Sequence, residues 1–402
     1  MPQGAGQGRG RGAGQGGGRG QGGGAYDIHD AEAFELRLLS ELKFRLDSET
    51  AADLNAAENA IWDLNSQRFS LDERVVADSM LNIEALASVR MDGRPPSASD
   101  IFFERADAAV HNAEPEEYIT RYERDRSSLE YALSCADAGF SAQTLGAIHE
   151  RVLPPKHMET GGQLRDELKQ VGGSRYHTFG SAYLMPRPEA IPSLLEDLVS
   201  FMELDDILVV EQAGIAHAQL INIHPFERGN GKMARAVIHM TLRSRGIATR
   251  YLLPFTPVIV ISSHDYVAGI NACAFEAGTP EEDVTRNMNA WLSYFSNCCL
   301  KAANISAGFI RACEGVMADG EAQLAVRRDS AAFKLLCALP ALPVFTAQMA
   351  ADYLGCSFKR ASEGCKQLLD AGLVEQVSPG KRNRIYRCPE ALDAYMAIDA
   401  LR

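Results

Sequence analysis

Twelve consecutive residues concentrate the chemistry of this 402-residue chain, from His224-Pro225-Phe226-Glu227-Arg228 through Gly229-Asn230-Gly231-Lys232 to Met233-Ala234-Arg235. A neutral imidazole at His224 can take a proton from an attacking hydroxyl. Gly229, Asn230 and Gly231 let the backbone curl so that successive amide groups point one way. The helix N-terminus that follows adds positive potential, and together these make an anion nest suited to phosphate. Lys232 and Arg235 stand three apart, so on a helix they share a face and direct two cations at one anion. The elements that must hold these groups are two apolar runs, Ala213 to Ile223 before the stretch and Ala236 to Leu242 after it. Both are spaced as buried helices of two to three turns.

The stretch resembles the signature of the Fic (Fido) family, H-x-F-x-[D/E]-G-N-G-R-x-x-R. The histidine, the phenylalanine, Gly-Asn-Gly and the final arginine all fall in register. The resemblance implies a protein adenylyltransferase, moving AMP from ATP to a Ser, Thr or Tyr hydroxyl of a protein target. It implies His224 as the base and Phe226 as the core anchor of the loop. It also implies Gly229, Asn230, Gly231 and Arg235 around the triphosphate. Two positions depart from the signature. Lys232 replaces its first arginine and keeps the charge without the bidentate fork. Arg228 replaces the acid that holds the metal, which removes a hard oxygen ligand for Mg²⁺. Glu227 is adjacent, but its side chain need not point inward. Arg228 therefore divides two readings: a transferase using ATP with little dependence on Mg²⁺, or a catalytically silent nucleotide-sensing regulator that binds DNA.

Composition sets outer bounds. Forty basic against 53 acidic residues give a formal net charge of -13, which argues against a general nucleic-acid coat while leaving local basic patches open. Hydrophobic residues make up 46%, enough for a sizeable core, and the length leaves room for two or three domains. The nine cysteines lack paired metal spacing and no targeting segment is evident, so the expectation is a reducing cytoplasm with cysteines as small core residues. The longest apolar stretch, Tyr251 to Ile261, is too short and too proline-broken to span a bilayer.

The expected fold is mostly α, with a Fic helical core, a small β-hairpin flap and a C-terminal winged helix-turn-helix. Residues 1–25 form a Gly/Arg-rich tail; the first 24 hold 13 Gly and 3 Arg and cannot bury apolar surface. Residues 26–125 read as a helical regulatory segment. One apolar stripe there is Leu36, Leu38, Leu39, Leu42 and Leu46; another is Leu54, Ala57, Ile61 and Leu64. Within it, Ser88, Asp92 and Gly93 resemble the family's inhibitory helix, [S/T]-x-x-x-E-[G/N], with Asp for Glu. The resemblance implies that Asp92 pairs with Arg235 and blocks productive nucleotide binding. The plainer reading is a helix end stopped by Gly93.

The core spans residues 126–310. Gly161-Gly162-Gln163-Leu164-Arg165 resembles the start of the family's active-site flap, which continues through Gly172 and Gly173 and returns at Tyr183. In the family this flap clamps the target segment by strand addition. Tyr266, near a helix start, is the candidate to pack on the adenine; a core position is the other possibility. Residues 330–402 resemble a winged helix-turn-helix, with Thr346 and Ser357 as N-caps and a wing around Pro379-Gly380. Between 357 and 388, Lys359, Arg360, Lys366, Lys381, Arg382, Arg384 and Arg387 face only Glu363, Asp370 and Glu375. Contact with a DNA backbone follows from that surplus, with Lys359, Arg360, Lys366 and Arg382 as candidates. A protein-docking or homodimerising wing is the alternative.

Overall fold

The computed structural model describes residues 34–91, 93, 96–171, 183–380 and 383–401. The N-terminal tail, Asp92, Gly172, Gly173, Lys381 and Arg382 lie outside the described residues. The helices of the first half are α1 (Ser48–Ser66), α2 (Glu73–Met91), α3 (Ala98–His111), α4 (Glu117–Cys135), α5 (Ala142–Val152) and α6 (Ile191–Met202). Then come α7 (Val209–Ile223), α8 (Asn230–Ser244), α9 (Thr256–Ile261), α10 (Ser263–Ala272) and α11 (Glu281–Gln323). Strands β1 (Gln170–Val171) and β2 (Tyr183–Leu184) pair antiparallel, Gln170 opposite Leu184, at the base of the expected flap. The C-terminal part holds α12 (Ala331–Ala338), β3 (Val344–Thr346), α13 (Ala347–Leu354), α14 (Phe358–Asp370), β4 (Glu375–Gln376), β5 (Ile385–Arg387) and α15 (Pro389–Asp399). Its sheet is antiparallel, in the order β3-β5-β4.

The core is built on α7, which buries every residue but Ile221. Its buried polar residues are bonded inside, Gln212 to the Phe201 and Leu204 carbonyls and Asn222 to that of Ile270. α8 packs along it, and α1, α10 and α11 close the other side. Close approach depends on Gly214 of α7, where a Cβ would stand 3.0 Å from the Phe295 ring. The Gly214 carbonyl also accepts the Trp291 indole N–H at 2.9 Å. At 43 residues, α11 runs about 65 Å and reaches both the main core and the C-terminal one.

One local expectation is corrected and another extended. Leu36, Leu38, Leu39, Leu42 and Leu46 do not lie on a helix. The segment is extended around a single 3-10 turn at Leu39–Glu41. Its backbone N–H groups are taken by distant partners: Leu39 and Ser40 donate to the Asp197 carboxylate, and Arg37 donates to the Phe275 carbonyl. Thr346, expected only as a helix N-cap, caps α13 as expected but also ends β3, which pairs with β5. The second stripe, Leu54 to Leu64, is the buried face of α1.

One buried contact fixes α2 against the motif. Glu84 of α2 is 1% exposed and accepts from His239 Nε2 of α8 at 3.1 Å. It also accepts the Thr256 backbone N–H at 2.9 Å and the Thr256 hydroxyl. Burial alone would raise the Glu84 pKa, but the bonds from His239 and Thr256 outweigh it and hold the carboxyl below its usual value. Glu84→Ala leaves those donors unmatched in a dry interior. It should cost about 3 kcal/mol, read as a lower urea midpoint at unchanged slope; a midpoint within error of the parent's would show that α2 is held by apolar packing alone.

Candidate active site

The stretch from His224 to Arg235 forms the end of α7, a tight loop and the first turn and a half of α8. His224 caps α7 in the left-handed region at φ 50°, and Gly229 precedes α8 at φ 79°. A glycine suits that second position twice over, because a Cβ there would also stand 3.0 Å from Val152 Cγ1. Asn230 closes the loop: its Nδ2 donates to the Phe226 carbonyl at 2.7 Å, and its Oδ1 accepts the Phe226 N–H at 3.0 Å. Asn230 is thus a loop staple, and its neighbours' amides form the nest. Phe226 is buried and anchors the loop from inside, as its resemblance to the family anchor implied, so it does not touch the cleft. Its ring stacks on His149 of α5, centroids 3.8 Å apart at 10°.

His149 is a supporting residue that sequence spacing did not reveal. Its Nδ1 accepts the Gly162 N–H at 3.0 Å, which leaves Nε2–H to donate to the Arg228 carbonyl at 2.9 Å. Burial lowers its pKa, outweighing the raising effect of the Arg228 carbonyl. Arg165 joins the flap base to the loop. Its guanidinium donates to the carbonyls of His224 at 2.7 Å, Glu167 at 2.9 Å and Pro186 at 2.6 Å, while its own N–H donates to Pro225. It organises backbone; it does not face the cleft.

The His224 Nδ1 lies 3.4 Å from the Ile221 carbonyl, which can only accept, so the proton sits on Nδ1 and Nε2 carries the lone pair. Burial pushes the His224 pKa down to about 4, and the Lys169 and Arg165 charges add to the shift. Tyr266 is corrected to a core position. It is 7% exposed, and its hydroxyl donates to Nε2 of buried His217, whose Nδ1–H donates to the Ala234 carbonyl. The bulk of Trp291 and Phe255 around that pair draws the tyrosine inward.

The two motif cations meet the N-terminal helices. Arg235, 5% exposed, donates through Nη2 to Ser88 Oγ at 2.8 Å. Ser88 Oγ donates to Asp125 Oδ2 at 2.7 Å, and Asp125 Oδ1 accepts from Lys232 Nζ at 2.7 Å. Asp125 of α4, 3% exposed, was not anticipated from sequence. Ser88 is where the inhibitory-helix resemblance places it, and Gly93 follows α2 at φ 157°, while Asp92 lies outside the described residues. Of the flap candidates, Gly172 and Gly173 also lie outside them, and Tyr183 is in β2.

The acids present do not suit Mg²⁺. Glu227 is turned outward, with its carboxylate 3.1 Å from Lys169 Nζ. Asp125 is sequestered by Lys232 and Ser88, and Arg228 brings a guanidinium where the signature has an oxygen donor. Among the described residues no group of three or more His, Cys, Asp or Glu is placed to hold a metal ion. Among them, too, no helix is long and apolar enough to cross a membrane.

A half-buried histidine beside a glycine turn, between two buried helices, defines the Fic class of site. Residues 139–242 match the Fic/DOC family model, so this segment is a Fic domain. Over 116 residues it is 28% identical to protein adenylyltransferase fic-1 of Caenorhabditis elegans, a match covering 28% of this chain and 20% of that protein. Over 120 residues it is 28% identical to protein adenylyltransferase Fic of Aedes aegypti, covering 29% and 21%. The chain spans about a fifth of the length of these curated relatives. The fold is similar to that of a Fic family protein from Desulfovibrio desulfuricans, with TM-score 0.52 and 16% identity over 87% of this chain and 98% of that one.

Buried His217 and half-buried His224 make acid sensitivity readable. Burial holds both His217 and His224 near pKa 4 in the folded chain, against about 6.5 when unfolded. Between those values the unfolded chain binds more protons, so stability rises with pH and is lost as pH falls from about 6.5 toward 4. The urea midpoint should drop between pH 7 and pH 5, and drop less in His224→Gln. Equal drops in both proteins would show that His224 titrates in the fold as it does in the unfolded chain.

Proposed function

We propose that the chain is a protein adenylyltransferase held in a restrained state. The observation that carries this reading is His224, with an unprotonated Nε2, set beside the amide nest at the start of α8 within the Fic match. In this reading a Ser, Thr or Tyr hydroxyl of a protein target gives its proton to His224 Nε2. Its oxygen attacks the α-phosphorus of ATP, the phosphoester bond forms, and pyrophosphate leaves. The nest and Arg235 stabilise the charge that builds on the phosphoryl oxygens. No step is assigned to Mg²⁺, whose ligands the site does not offer. The flap base, pinned by Arg165, supports strand addition of the target segment.

Restraint is supported by the ties that already occupy the motif cations. A phosphate would have to compete with Ser88 for Arg235 and with Asp125 for Lys232. Asp92, four positions after Ser88 in the sequence, is the candidate for a third tie. The labelling experiment tests both halves. With α-labelled ATP, His224→Ala should lose self-labelling by roughly a hundredfold or more, the scale of a general base, and Asp92→Gly should raise it. Equal labelling of parent and His224→Ala would remove the transferase reading, and flat labelling of Asp92→Gly would reduce Asp92 to a helix-end residue.

The second reading, a nucleotide-sensing regulator that binds DNA, is favoured by α14. Lys359, Arg360 and Lys366 are all exposed on that helix, and α13, α14 and the β3-β5-β4 sheet support a winged helix-turn-helix. Arg387 is spent on Glu375 across the sheet at 2.8 Å. The full chain should shift duplex DNA at low salt, with binding falling steeply as salt rises and lost in the Lys359→Ala, Arg360→Ala double variant. A complex that ignores salt, or none at low salt, would leave the tail as a protein-docking element. Nine free thiols support a reducing, cytoplasmic setting for either reading.

A further inference from the structure

A cavity of about 540 Å³ opens over the nest. Six side chains bring cationic groups to its lining: Arg121 and Arg124 from α4, Lys156 from the turn after α5, and Arg228, Lys232 and Arg235 from the motif. Among the described residues a single carboxylate joins them, Glu117, already 2.7 Å from Arg121 Nη2. The other acid at hand, Asp125, lies beneath the floor between Lys232 and Ser88. The lining is therefore several positive charges in excess, drawn from three elements far apart in sequence. That arrangement is costly when empty. Burial lowers the pKa of Arg124 and the neighbouring Arg121 charge pushes it the same way, with Asp125 opposing.

We propose that this cleft binds the polyphosphate of a nucleotide in its metal-free form, with Arg121 and Arg124 facing the motif and supplying the charge that a divalent cation would otherwise bring. This rests on reading the cleft as the nucleotide site. A triphosphate chain carries roughly four negative charges at neutral pH, which matches the excess in the lining. A bound Mg²⁺ would cancel two of them and would have to sit near the Arg228 guanidinium, where like-charge repulsion in a partly dry cleft opposes it. Guanidinium forks satisfy phosphate oxygens two at a time, so arginines on both walls can take over the bridging that a metal performs.

The test uses inorganic tripolyphosphate and the full chain, in chelator and in excess Mg²⁺, by calorimetry. Tripolyphosphate carries no AMP, so its binding is independent of whether the protein transfers anything. Binding should be tighter in chelator than in Mg²⁺. The Arg121→Gln, Arg124→Gln double variant should bind about tenfold more weakly or worse, the scale of one or two charge-assisted bonds. Arg311→Gln, on an exposed stretch of α11, should leave affinity unchanged. In Arg228→Asp the preference should invert, with Mg²⁺ strengthening binding. If the double variant proves unstable, the metal preference of the parent and of Arg228→Asp decides the matter. Binding in the parent that needs Mg²⁺, or an affinity the double variant leaves untouched, would overturn the proposal, whatever the labelling assay shows.

Discussion

The site depends on one side chain bonded twice to the backbone of a residue four positions earlier. Asn230 takes both the N–H and the carbonyl of Phe226, and that closes the loop between α7 and α8 into a fixed ring. A carboxylate at position 230 could only accept, and a hydroxyl would have to serve both partners from one atom on a shorter side chain. With the ring closed, Gly229 turns left-handed just before α8, as His224 does at the end of α7. His149 secures the ring from outside, through its stacking on Phe226 and its bond to the Arg228 carbonyl. The position of Arg228 is thus fixed at its backbone, while its side chain is exposed toward the cleft.

Charge around this ring is arranged in layers. Beneath it, Lys232 and Arg235 meet Asp125 and Ser88, a largely buried layer with one carboxylate for two cations. Above it, the cleft carries the unbalanced positive charge. The first layer sets how much the motif cations can give to a ligand; the second sets how strongly an anion is drawn in. Replacing an acid by an arginine at position 228 shifts the balance toward the second layer. A site of this kind need not lose affinity when its metal ligand is lost, because the same substitution that removes the oxygen donor supplies a cation.

Much of the site was legible in the sequence. The His-to-Arg spacing placed His224, Gly229, Asn230, Gly231, Lys232 and Arg235 around one turn, and Ser88 was named from the spacing of a short helical motif. Those are local patterns, and helices preserve them. What sequence did not reveal was contact between distant helices. His149, Asp125 and Glu84 sit on ordinary helical runs, and nothing in their spacing announces their partners at positions 228, 232 and 239. The stripe of leucines from Leu36 to Leu46 misled for a related reason: periodicity favours a helix only until distant acceptors take the N–H groups. Tyr266 shows the limit again, since a helix start looks the same whether its aromatic faces a ligand or a tryptophan.

The long helix α11 has a thermodynamic consequence. Its first two-thirds, through Trp291, Phe295 and Ile310, belongs to the main core, and Gly320 near its end lies so close to Leu336 of α12 that a Cβ there would stand 2.4 Å from Leu336 Cδ1. Val344, Ile385, Leu392 and Tyr395 of the C-terminal part are in turn counted in the main core. A helix shared in this way cannot be half folded without exposing apolar surface on both sides. The two cores therefore melt as one cooperative unit, and a substitution deep in the C-terminal sheet lowers the population of intact catalytic loops as surely as one beside His224.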